Sequence, residues 1–167
     1  MRKRLKEVVF DLLKYHDENA MKKIIKDFRT EFKKSDLSDV AFPRTANNLS
    51  KYNLNPSYDK LEWEKGTPIH IKASLYYNFL LHTNNLTDKY ELIHDGDKIY
   101  FFYLSGNHPT NCVAYKGEFP EEFKDIVRID STLQWEKEIL APIEKLYTAI
   151  GWDIKAIDHY DMAAFFK

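Results

Sequence analysis

Apolar side chains at Leu5, Val8, Val9, Leu12 and Tyr15 recur at intervals of three and four residues. After a polar break at His16-Asp17 a second stripe runs through Met21, Ile24, Ile25, Phe28 and Phe32. This period predicts two amphipathic helices, the second carrying Lys22, Lys23, Lys26, Arg29, Lys33 and Lys34 on its polar side. Beyond Asp36 the period is lost. Val40-Ala41-Phe42-Pro43 reads as extended, because a residue before proline is pushed away from helical backbone, and Ala46 to Tyr52 reads as a short helical turn. Asn53 to Lys65 shows no period and reads as an ordered surface loop. Gly66-Thr67-Pro68 then announces a helix reaching His82. Thr67 is expected to cap it and Pro68 to take the first helical position, where a missing N–H costs nothing. Its buried stripe is read as Ile69, Ala73, Tyr76 and Leu80, broadened by Leu75 and Phe79.

From there the pattern changes. Asp95-Gly96 signals a turn, Lys98 to Leu104 is rich in aromatic residues that favour strands, and Asn111 to Lys116 supplies an antiparallel neighbour across a loop at Ser105 to Pro109. Pro120 opens a short helix. Ser131, with Gln134 three residues on, resembles a capping box at the start of a long helix that Gly151 can end. The predicted class is α+β, mostly helical with a small antiparallel β-sheet element.

Length and composition narrow the setting. A chain of 167 residues, 44% hydrophobic and 15% aromatic, can bury one core, so a single domain is expected. No apolar run approaches the roughly 18 residues of a membrane span, and M-R-K-R-L-K-E lacks a signal-peptide core, so the expected location is cytoplasmic. Cys112 is the one cysteine, without a partner for an internal disulfide, and reads as a small core residue in a strand. The six histidines form no H-x-x-x-H pair, and His94-Asp95-Gly96-Asp97 reads as a turn rather than a metal site. No phosphate-binding glycine loop, nucleophile elbow or clustered acid set is present, so neither a complete active site nor a stand-alone nuclease finds support, and no cofactor is expected in this chain.

Charge is distributed unevenly. Residues 1–72 hold 16 Lys and Arg against 11 Asp and Glu, whereas residues 73–167 hold 9 against 15. Lysine-rich faces are most often merely solvated, but here Arg44, Asn47, Asn48, Lys51, Lys65, His70 and Lys72 gather in sequence around the expected start of the helix at Pro68. The partial positive charge of a helix start there favours an anion such as phosphate. At the other end of the chain, Met162 with Phe165 and Phe166 falls on one turn of a helix. That apolar plug suits a partner's hydrophobic pocket or, equally, a fold-back onto the chain itself.

The blocks A-N-N-L-S-K-Y (46–52), G-T-P-I-H-I-K-A-S-L-Y-Y-N (66–78), D-G-D-K-I-Y (95–100), N-C-V-A-Y (111–115), W-E-K-E-I-L-A-P-I-E (135–144) and D-M-A-A-F-F (161–166) resemble, in order, the C-terminal thumb of the family B DNA polymerases of T-even-type bacteriophages. The resemblance covers nearly all of the chain. It implies a thumb domain over residues 1–154 and a clamp-docking tail over 155–167. It places Asn47, Asn48, Lys51, Lys65, His70, Lys72 and Lys137 at or near duplex phosphates, where Arg44 of the basic cluster would join them, and Met162, Phe165 and Phe166 on a sliding clamp. Asn111 and Ala141 stand where related thumbs carry lysines, which implies a weaker grip there. The D-x-x-S-L-Y-P and D-T-D motifs of the family's catalytic palm are missing, so polymerisation in an infected bacterial host would need a palm and exonuclease chain holding Mg2+, as in a split polymerase, the alternative being that the chain is an excised or truncated domain. Leu5, Val8, Val9 and Leu12 would pack on that chain. The expected partners are therefore primer–template DNA, the catalytic chain and the clamp, with no membrane. The competing reading is a protein-interaction adaptor that binds no DNA.

Overall fold

The computed structural model describes residues 2–15, 17–35 and 37–152. Along the chain run α1 (Arg2–Tyr15), α2 (Glu18–Lys34), α3 (Leu37–Val40), β1 (Phe42–Thr45), α4 (Leu49–Tyr52) and α5 (Ile69–Thr83). They are followed by β2 (Lys98–Ser105), β3 (Cys112–Tyr115), α6 (Phe123–Ile126), β4 (Arg128–Ile129), α7 (Ser131–Trp135), a π-helical turn (Glu136–Leu140) and α8 (Ala141–Ala149). This is an α+β fold. No helix among the described residues is long and apolar enough to cross a membrane. The chain divides into two compact units: Ala41–Asp130 form one, and the segments before and after it form the other.

In the unit made from the two chain ends, the polar break between the first helices is a cap. Asp17 leaves helical geometry, and its carboxylate accepts from the backbone N–H groups of Asn19 and Ala20 at 2.9 and 3.2 Å, satisfying donors that the first turn of α2 cannot pair itself. The expected stripe of α2 is buried at Met21, Ile25, Phe28 and Phe32. Phe28 and Phe32 meet Trp135 edge-on, with ring centroids 5.2 and 5.3 Å apart. Those contacts join the start of the chain to α7. Gln134 is fully buried there, and its amide donates to the Val40 carbonyl at 2.9 Å.

The long helix from Ser131 contains an unexpected turn. Ala141 N–H bonds back to Glu136, five residues earlier, immediately before Pro142. Proline removes one backbone donor, and a widened turn relieves the crowding it causes. The buried side chains Trp135, Ile139, Ile143 and Tyr147 recur every four residues. A regular helix would drift around its axis over that distance, whereas the wider turn keeps them aligned. Gly151 ends the helix as expected, at φ +80°. Gly151 N–H donates to Thr148, Trp152 N–H donates to Tyr147 at 2.9 Å, and the Trp152 ring packs against that of Tyr147 at 5.4 Å.

In the other unit, β2 is the central strand. β1 pairs with it antiparallel, Phe42 opposite Phe101 and Arg44 opposite Ile99. β3 pairs on the other side, Phe101 opposite Ala114 and Tyr103 opposite Cys112, and β4 adds to the far end of β2 at Leu104 and Ser105. α5 packs on β3 and β2. It is buried around most of its circumference, at Ile71, Ala73, Ser74, Leu75, Tyr76, Tyr77, Asn78, Leu80 and Leu81, rather than along one stripe. Loops cover the side that the sheet does not. Asn78 donates to the Tyr58 hydroxyl and the Ile93 carbonyl, each at 2.9 Å, and accepts from Ile93 N–H at 2.8 Å. Tyr77 donates to the Glu91 carbonyl at 3.2 Å. Polar residues inside a helix thus face protein, and the expected single stripe widens into a central buried helix.

Candidate nucleic-acid interface

The basic residues expected near the start of α5 are positioned by short-range structure. Gly66, at φ +85°, turns the chain so that the Thr67 N–H and hydroxyl both donate to the Glu64 carbonyl, at 3.2 and 2.5 Å. Thr67 is therefore spent on this turn and does not cap the helix. Pro68 itself stands at the cap with φ −58° and ψ 149°, and no side chain satisfies the first amides of α5. Exposed Lys65 lies in the turn, while half-buried His70 and Lys72 belong to the first turn of the helix.

Three of these cations are held over aromatic rings. The Arg44 guanidinium lies 5.9 Å from the centre of Phe42, the neighbour two residues back on the same face of β1. Lys51 Nζ lies 5.4 Å from Tyr52, and Lys72 Nζ 5.3 Å from Trp63. Such contacts are worth about 0.5–1 kcal/mol at exposed sites and hold a charge in place without neutralising it. The backbone brings the second and third together: Asn53 pairs with Trp63 in an antiparallel bridge, and Glu64 N–H donates to Tyr52 O at 3.0 Å. The charge of Arg44 is also felt at the helix. The His70 imidazole is pushed below its ordinary pKa, first by burial and then by the Arg44 charge beside it. Arg44, His70, Lys72 and Lys51 thus belong to one continuous piece of structure around the uncapped start of α5. Acids border it, since Glu64 is exposed and Glu62 pairs with Lys60 at 2.5 Å.

Asn47 and Asn48 are exposed in the turn before α4, Asn48 in left-handed backbone at φ +61°. The first two N–H groups of α4 are already taken. Asp95 accepts from the backbone N–H of Leu49, from that of Ser50 at 3.2 Å and from the Ser50 hydroxyl at 2.5 Å. The Ser50 hydroxyl, followed by these backbone donors, holds the Asp95 carboxyl below its ordinary pKa.

Lys137 lies in the unit made from the chain ends, exposed, with Nζ 2.9 Å from the Glu136 carboxylate. Met162, Phe165 and Phe166 lie outside the described residues. Asn111 is exposed and its carbonyl accepts from Leu104 N–H at 2.9 Å; Ala141 is half-buried. Cys112 is buried, its thiol 3.3 Å from the Ile69 carbonyl, and burial pushes that thiol up to about 11. His94 to Asp97 form the expected turn, with Asp97 accepting from His94 N–H at 2.8 Å and pairing with Lys116 at 3.0 Å. Among the described residues no three His, Cys, Asp or Glu side chains gather as metal ligands. Two parts of the site escaped the sequence pattern: Trp63 and Tyr52 as ring supports, and Asp95 as the partner of α4. Trp63 in a polar spacer was the available signal, whereas the Asp95 contact spans more than forty residues and leaves no local trace. No protein-family model and no curated protein matches this chain.

Proposed function

We propose that the chain is a noncatalytic, thumb-like module of a DNA-directed DNA polymerase that grips primer–template duplex through its phosphates and docks on a sliding clamp. The observation that carries the first half is the gathering of Arg44, Lys51, His70 and Lys72, with Lys65 in the adjoining turn, around a helix start that no side chain caps. Cations held over rings and a helix start without a side-chain cap suit phosphate oxygens and read no base, so binding of this kind is strong at low salt and indifferent to sequence. The order of the sequence blocks supports the assignment to a thumb. The docking half rests on Met162, Phe165 and Phe166 in the sequence. Copying would belong to a catalytic chain holding Mg2+, in the cytoplasm of an infected bacterial cell.

Fluorescence anisotropy of a labelled primer–template duplex over a salt series tests the grip. The full chain is expected to bind at low salt. Replacing Lys51, Lys65 and Lys72 by Ala should weaken binding equally on unrelated sequences and flatten the log–log salt dependence by about 0.9 per lost contact. No binding at low salt, with or without the catalytic chain, would refute the proposal, and so would a loss confined to some sequences.

A further inference from the structure

In the unit formed by Ala41–Asp130, a cavity of about 410 Å³ opens between α4, the loop after it, α5 and the segment from Leu92 to Asp95, within the size range of small-ligand sites. Leu49, Pro56, Leu92 and Ile93 give it apolar walls. Its polar groups are few and fixed. Tyr58 is buried and stands in left-handed backbone at φ +55°, a conformation that strains a bulky residue and persists only where the surroundings hold it. Here they do: the Asn78 amide donates to its hydroxyl at 2.9 Å, the Asn53 side chain bonds the same oxygen, and the His82 ring stacks on its ring with centroids 5.0 Å apart. With the oxygen accepting from amides, the Tyr58 O–H proton has no acceptor among the described residues. Asp95 borders the same cavity, and three bonds from Leu49 and Ser50 leave its carboxylate one of about four lone-pair sites. The cavity thus offers a fixed donor and a fixed acceptor among apolar walls. We propose that it binds a nucleobase carrying an exocyclic amino group.

Chemistry selects this ligand class by elimination. Among the described residues no Lys or Arg lines the cavity and a carboxylate does, which disfavours phosphate or any other anion. A cation would suit Asp95 but would turn its own hydrogens on the Tyr58 O–H, donor against donor. An aliphatic chain would leave that O–H and the carboxylate desolvated and unpaired. An uncharged heteroaromatic ring with an amino group beside an unprotonated ring nitrogen satisfies both: the amino N–H donates to Asp95, the ring nitrogen accepts from Tyr58, and the ring faces meet apolar side chains. Such a base arrives as a free nucleoside or at an unpaired strand end, because Ser50 and Asn53, both on the cavity, flank Lys51 of the proposed grip. A nucleoside carries no phosphate, so its binding and the duplex grip can fail separately.

The test is calorimetric titration of the full chain with adenosine and with inosine, which carries a carbonyl in place of the amino group and so reverses donor and acceptor. Adenosine is expected to bind, with 15N amide shifts concentrated on residues 49–58, 78–82 and 92–95, and inosine to bind at least about tenfold more weakly. Tyr58→Phe should weaken adenosine by a similar factor. Leu92→Trp fills the cavity from a half-buried wall without removing either polar group, and should abolish binding. Both variants should keep the circular dichroism and the blunt-duplex affinity of the parent chain. A blunt duplex and one ending in an unpaired adenine separate the two sources: tighter binding of the second, lost in Leu92→Trp, assigns the base to a strand end, and equal binding assigns it to a free nucleoside. The proposal is overturned if adenosine produces no shifts in these segments, if inosine binds equally well, or if either variant retains full binding.

Discussion

At the scale of single residues, the most consequential polar group is Asn78. Its amide serves the Tyr58 hydroxyl and both backbone groups of Ile93, all in a buried setting. Asn78→Leu keeps the volume but strands those partners, and a loss of about 3 kcal/mol is expected in urea unfolding. Asp95→Ala removes the acceptor at the start of α4 and should cost about 1 kcal/mol by the same measurement. Because the Asp95 carboxyl titrates below its ordinary range in the folded chain, its contribution is complete above the unfolded pKa and fades as pH falls through the folded one. The Asp95→Ala difference should therefore shrink in acid. Neither role was legible in advance. Asn78 was visible only as one letter of a block, and Asp95 only as half of a turn signal, because both act through partners far away in the sequence.

Elements were more legible than residues. Both N-terminal helices, the helix after Pro68, the aromatic strand and its partner all answer to local periodicity, and the Asp17 cap and Gly151 stop answer to local chemistry. Gly151→Ala puts a Cβ on a left-handed residue and should lower stability by about 1 kcal/mol, read as a reduced urea midpoint at unchanged slope. What periodicity could not supply was competition among neighbours. Thr67 looked like a cap and is drawn instead into the Glu64 turn. α5 looked amphipathic and is covered on both sides. The stripe chosen for α1 followed its strongest apolar face, which is the face that its own unit buries at Val8. Phe10 and Leu13, on the far side, look like incidental members of an apolar run until burial sorts them.

For the molecule as a whole, the proposed grip carries a pH signature. Burial and Arg44 keep His70 below its ordinary pKa in the free protein, and a phosphate arriving beside it would favour the charged ring. Binding should then take up a proton, so duplex affinity is expected to rise as pH falls through the ordinary value of histidine and to level off only below the depressed pKa of the free protein. A His70→Gln variant should lose that slope while keeping affinity at the alkaline end, as anisotropy titrations at several pH values can show. The pairing of Phe28 and Phe32 with Trp135 has a consequence in time. About a hundred residues separate these rings along the chain, and at ribosomal rates of about 5–20 residues per second Trp135 is made roughly 5–20 s after Phe32. For that interval the apolar stripe of a nascent α2 waits without its indole, long enough for chaperones to find it before the end of the chain does.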